Sequence, residues 1–104
     1  MSRSTEQRIW DALTHVHDPE LEVDVVNLGL VYEVKVDGGR AELLMTLTSI
    51  GCPAQGLIEE QVRLHLGVVE EIEEVDLRWT FDPPWTPARI TEEGRDFLVS
   101  MGYL

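Results

Sequence analysis

The sequence predicts a two-layer α/β (α+β) domain of order α-β-β-α-β-α, built on a small three-stranded mixed sheet. Three observations predict it. Two runs of strict apolar alternation flank Asp37-Gly38-Gly39-Arg40, a third lies at residues 75–81, and stretches of helical periodicity precede, separate and follow them. With 104 residues, 43% of them hydrophobic, the chain can fill one core, so residues 1–104 are read as a single domain.

Each element has a local cause. Ser4 followed by Gln7 resembles a capping box, and Ile9, Trp10, Leu13 and Val16 then recur at helical spacing, predicting a first helix over residues 5–16. HDPELEVDVVNLGL opens on a proline-interrupted turn and has no clear period, which predicts a long ordered loop up to Gly29. From Leu30, the residues Leu30, Tyr32, Val34 and Val36 fall on one face of a strand, with Glu33, Lys35 and Asp37 on the other. The glycines at 38 and 39 suit a tight hairpin, and Ala41, Leu43, Met45 and Leu47 resume the alternation. After Cys52-Pro53, Ala54, Leu57, Ile58, Val62 and Leu66 make one apolar stripe of a helix ending near Gly67. Val75, Leu77, Trp79 and Phe81 predict a third strand running into DPPWTP, where prolines end it. Thr91 can cap a last helix through Phe97, Leu98 and Met101, which Gly102 closes.

This order places chemistry at one end of the sheet. Strand 1 begins where strand 2 ends, so the 18–29 loop and the 48–53 turn share an edge. A helix of about 13 residues spans roughly 20 Å and can return the chain to the far end, making strand 3 parallel to strand 2. Asp82 to Trp85 would then arrive beside Cys52. Strand 3 can lie next to either of the other two.

Composition excludes several classes of function. A formal charge of −12 disfavours nucleic acid and anionic membranes as partners. No apolar run reaches membrane-spanning length and MSRSTEQRIW lacks a signal-like segment, so the expected location is cytoplasmic. A lone cysteine forms no intramolecular disulfide, and no spacing of Cys and His suggests a structural zinc. DGGR lacks the lysine and following helix of a phosphate loop, and no serine sits in a nucleophile elbow.

Cys52 lies between Gly51 and Pro53 in LTSIGCPAQG. Proline suits the first position of a helix, which makes Cys52 the expected N-cap, its thiolate favoured by the helix dipole and opposed by nearby carboxylates. The alternative is a small buried hydrophobe at a tight turn. His15, His17, Asp18 and Glu20 are candidate metal ligands. The histidines also fit the solvated end of the first helix, and Asp18-Pro19 also fits a turn. Asp82 is a turn-former or a ligand, and Trp85 a core plug or a partner anchor.

Taken together, DPELEVDVVNLGLVYEV, MTLTSIGCPAQGLIEEQV and DPPWTPARITEEGR resemble the metal-sulfur cluster assembly domain of the SufT and PaaD type, over about residues 6 to 104. The resemblance implies the fold of iron-sulfur cluster assembly domains and a role in iron-sulfur protein maturation, delivering or inserting clusters into client apoproteins. Such domains are not known primarily as enzymes. By motif, Asp18, Pro19 and Glu20 match DPE. Asn27, Leu28, Gly29 and Leu30 match the (D/N)LGL motif, Thr48, Gly51, Cys52 and Pro53 match T-x-x-G-C-P, and Asp82, Pro83, Pro84 and Trp85 match DPPW. No cysteine follows Cys52, whereas PaaD-like members usually carry a cysteine-rich C-terminal segment, so a general or SufT-like role is expected.

The expected cargo is iron or an iron-sulfur cluster, held transiently and not as a tightly bound cofactor. A cluster takes about four ligands and one chain supplies one thiolate. A symmetric homodimer would bring two Cys52 thiolates, with Asp18, Glu20, Asp82 or a small thiol completing the set. Trp85 and the neighbouring loops would dock client apoproteins or an assembly scaffold. Two alternatives stay open at this point: an adaptor that never holds metal, and a thiol enzyme using Cys52 with His65 or a histidine of the first helix as base.

Overall fold

The alternation on either side of the Gly38-Gly39 turn builds the centre of the sheet. The computed structural model describes residues 4–19, 21–48 and 53–102. Strand β1 (Val31–Asp37) pairs antiparallel with β2 (Arg40–Met45), and β3 (Glu74–Trp79) pairs with β2 in parallel, giving the order β1-β2-β3. The sheet is mixed as expected, and β3 takes the place beside β2. Its entry is fixed by the hairpin tip, because the amides of Glu73 and Glu74 both donate to the Gly39 carbonyl. Ala41, Leu43 and Met45 of β2 point into the core. On the other face Arg40 donates to Asp76 at 2.7 Å and holds that carboxyl below its ordinary range.

Helices α1 (Thr5–Leu13) and α2 (Gln55–Leu66) supply the apolar surface that covers the core face, burying Ile9 and Leu13 from α1 and Ile58, Val62 and Leu66 from α2. Ser4 caps α1, its hydroxyl accepting from the Gln7 amide at 3.2 Å. The helix stops three residues before the expected Val16. The amides of His15 and Val16 bond to carbonyls three residues back, so the chain tightens into a turn that still buries Val16. In α2, Ala54, Ile58, Val62 and Leu66 recur every four residues and define the buried line. Leu57 lies off it and is 46% exposed, contrary to the predicted stripe. Helix α2 also begins later than expected: Ala54, with no side-chain cap bond, stands at its N-cap. Pro53 therefore precedes the helix, and Cys52 lies outside the described residues.

Strand β1 departs from simple alternation. Val31 opposes Met45 and Glu33 opposes Leu44, so Tyr32 is the extra residue of a bulge. Leu30, Val31 and Val34 are buried, Val36 near the hairpin tip is exposed, and Tyr32 is freed to reach across to Pro83, where its hydroxyl donates to the carbonyl at 2.8 Å.

After β3, a 3-10 turn at Pro87–Arg89, not foreseen in the sequence, leads to helix α3 (Glu92–Ser100). Thr91 caps it as expected, accepting from the Gly94 amide at 3.1 Å. Only Gly94 and Leu98 of α3 are buried, and Phe97 and Met101 are exposed. A nine-residue helix that meets the body along one narrow line leaves its remaining apolar positions in solvent.

Gly29 marks the closest approach between the 24–30 loop and this C-terminal segment. Its φ is +75°, and a Cβ there would lie 2.4 Å from the Arg89 carbonyl oxygen. Gly29→Ala is expected to destabilise the fold by about 2–4 kcal/mol, because strain and a backbone clash combine. Urea unfolding of the two proteins measures it.

Candidate functional site

The end of the sheet where β2 and β3 finish is assembled from three segments. The Thr46 amide donates to Leu30 and the Thr80 amide to Met45, both at 2.8 Å, so residues 24–30, 46–48 and 80–85 leave the strands together. The link from β2 to α2, residues 46 to 54, starts from this rim.

Two aspartates shape the 18–30 segment. Asp18 is 4% exposed; its Oδ1 accepts from the Leu21 amide at 3.1 Å and its carbonyl from the Glu22 amide, closing the turn that Asp18-Pro19 predicted. The backbone bridge between His17 and Asp24 returns the chain. The carboxylate of Asp24 then accepts from both the amide and the side-chain nitrogen of Asn27, at 3.0 and 2.7 Å. Sequence reasoning missed Asp24, although an Asp three residues before an Asn is the pattern of such a turn.

The LGL and DPPW motifs meet directly. The indole Nε1 of Trp85 donates to the Leu28 carbonyl at 2.6 Å, the Thr91 amide donates to the Asn27 carbonyl at 2.8 Å, and the Thr91 hydroxyl donates to the Asn27 side-chain oxygen. Arg89 Nε donates to the Gly29 carbonyl at 3.3 Å, and its guanidinium lies over the Tyr32 ring, 4.1 Å from the centroid. Asn27, Gly29 and Trp85 are thus brought together. Trp85 is half-buried and packs against the core, as a plug does. The roles of Tyr32, Arg89 and Thr91 in joining these motifs were not foreseen in the sequence, because each acts on a residue more than fifty positions away.

Among the other predicted residues, Pro19, Pro53, Asp82, Pro83 and Pro84 are exposed and Thr48 is half-exposed. Thr80 engages Asp82 through the backbone, its hydroxyl accepting from the Asp82 amide at 3.2 Å. Glu20, Gly51 and Cys52 lie outside the described residues. Among the described residues, no three His, Cys, Asp or Glu side chains are grouped closely enough to hold a metal ion. His15 and His17 are exposed, beyond the end of α1; His15 stacks on His65, with ring centroids 6.1 Å apart.

One turn into α2, Glu59 accepts from Trp79 Nε1 at 2.9 Å and from Arg63 at 3.3 Å. The indole hydrogen bond first, and Arg63 after it, hold this carboxyl below its ordinary range against the opposing effect of burial. The first turn of α2 carries no acidic residue, so its amide dipoles are not neutralised there.

The family model for iron-sulfur cluster assembly proteins matches residues 6–77, and the chain belongs to that family. Within it the chain is SufT-like. It is 42% identical over 87 residues to the Fe-S protein maturation auxiliary factor YitW of Bacillus subtilis, covering 83% of this chain and 85% of that one. It is 49% identical over 72 residues to the Fe-S protein maturation auxiliary factor SufT of Staphylococcus aureus, covering 68% and 82%. The fold matches the crystal structure of a DUF59 domain of unknown function from Bacillus anthracis with a TM-score of 0.87 at 38% identity, covering 96% and 93%. No helix among the described residues is long and apolar enough to cross a membrane.

Two outcomes follow from the hydrogen bonds above. Trp85→Phe leaves the Leu28 carbonyl without its indole donor and is expected to cost about 1–3 kcal/mol, measured by urea unfolding. Glu59, with a lowered folded-state pKa, contributes stability above its unfolded pKa that is lost as pH falls through the folded one. In Trp79→Phe the Glu59 titration, followed by carboxyl NMR, is expected to move up, towards the ordinary range.

Proposed function

We propose that this chain is a maturation factor that takes iron or an iron-sulfur cluster as transient cargo and passes it to client apoproteins, with Cys52 as the thiolate ligand. The single observation that carries the reading is the position of the link between β2 and α2. It leaves the rim formed by the LGL and DPPW motifs and enters a helix whose first turn has no acidic residue and whose N-cap residue, Ala54, offers no side-chain bond. In this reading the dipole at the start of α2 favours the thiolate of Cys52 that ligation needs.

In this proposal Asp82 and Glu20 supply oxygen ligands at the rim, and Asp18 does so only by giving up its turn. The conformation of Pro53 and Gly51 sets the approach of the thiolate, and Thr48, Pro19, Pro83 and Pro84 shape the edge. Oxygen-rich ligation is weak and suits cargo that must leave. Two copies would supply two thiolates. The work is done in the cytoplasm, by a single domain acting as carrier and not as an enzyme, with scaffold proteins and clients meeting the exposed part of Trp85 and its flanking loops.

The engagement of Asp18 in its own turn favours a second reading, an adaptor that docks clients and never holds metal. Anaerobic reconstitution with iron and sulfide separates the two. The carrier reading predicts charge-transfer absorption and a cluster Mössbauer signal in the wild type, lost in Cys52→Ser, with the signal following a dimer by mass in solution. Absence of bound metal in the wild type rejects the carrier and leaves the adaptor.

A further inference from the structure

The far side of the Asn27 loop carries a groove that the cargo reading does not use. It is lined by Thr14, His17, Glu22, Val23, Asp24 and Asn27 on one wall and by Glu93, Gly94 and Phe97 of α3 on the other, and encloses about 480 Å³. Three of these residues are carboxylates, and among the described residues no lysine or arginine lines the groove. Both oxygens of Asp24 accept from Asn27, a neutral donor, and Asp24 is 9% exposed.

Two features of this groove bear on what it could hold. Helix α3 presents Phe97, Val99 and Met101 at 40, 54 and 49% exposure, with Phe97 on the groove wall and Met101 one turn further along. Glu22 holds a φ of +63°, a conformation in which glycine would rest without strain, and it presents a carboxylate at the groove.

We infer that this groove and the apolar ridge of α3 dock a basic segment of a partner protein, with lysine or arginine set against Glu22, Asp24 and Glu93 and an apolar side chain against Phe97. Charge complementarity selects that occupant. Against a groove lined by three carboxylates, the same acidic face of a second copy is disfavoured, while a chain of net charge −12 steers a cationic segment towards it. None of the lining residues lies on the link that carries Cys52, so the inference stands or falls apart from the cargo reading.

Fluorescence anisotropy with a labelled peptide of alternating lysine and leucine tests it, beside a peptide with glutamate in place of lysine. The full chain is expected to bind the first and not the second. Phe97→Ser and the double variant Glu22→Gln, Glu93→Gln should each weaken binding roughly tenfold, whereas Glu33→Gln with Glu42→Gln, which removes equal charge from the open face of the sheet, should change it little. Glu22→Gly is expected to weaken binding while leaving the thermal midpoint at or above that of the wild type, which separates lost docking from lost fold. Failure of the wild type to bind, equal loss in the sheet-face control, or full binding by Phe97→Ser overturns the proposal. So does a wild-type dimer that Phe97→Ser dissociates, since the occupant would then be a second copy.

Discussion

The backbone of Asn27, Leu28 and Gly29 is the surface on which the C-terminal third of the chain is hung. Three successive carbonyls accept from Thr91, Trp85 and Arg89. Such carbonyls would be costly to bury unpaired, and the loop between α1 and β1 offers no strand ladder to satisfy them. Gly29 permits the approach because no Cβ stands between it and Arg89, and Gly94 does the same one turn into α3, where a Cβ would be 2.9 Å from the Asn27 carbonyl oxygen. The DPPW segment is therefore held by contacts to the body of the protein, and the rim has a defined shape before any partner arrives.

That rigidity bears on the proposed chemistry. A carrier must bind its cargo well enough to protect it and weakly enough to release it. In the proposed role, a single thiolate assisted by a few oxygen donors would meet both demands in a way that a closed four-cysteine site does not.

Much of the fold was legible in the sequence because its signals are local. The hairpin, the caps at Ser4 and Thr91 and the buried lines of β2 and α2 each follow from residues within a turn or two of each other. The parallel placement of β3 followed from helix length. What escaped depends on distant packing. The bulge at Tyr32 is invisible to an alternation count, because the extra residue serves Pro83, fifty-one positions away. Leu57 looks like a core residue by its place in the stripe, and the single line along which α2 is buried leaves it exposed. At the site, the LGL and DPPW motifs marked segments that meet in the fold, and Asn27 and Gly29 hold the DPPW segment in place, a role the motif itself does not announce. The late start of α2 has a similar origin: Pro53 favours a first helical position, yet hydrogen bonding begins from Ala54, whose carbonyl accepts the Ile58 amide at 2.9 Å.

The most direct test of the central claim is transfer from the reconstituted chain to an apo-ferredoxin, followed by circular dichroism as the acceptor's cluster forms. The account predicts rapid transfer from the wild type and none above the free iron and sulfide control from Cys52→Ser, whose far-ultraviolet spectrum and unfolding midpoint should match the wild type. Full transfer by a folded Cys52→Ser protein would contradict it.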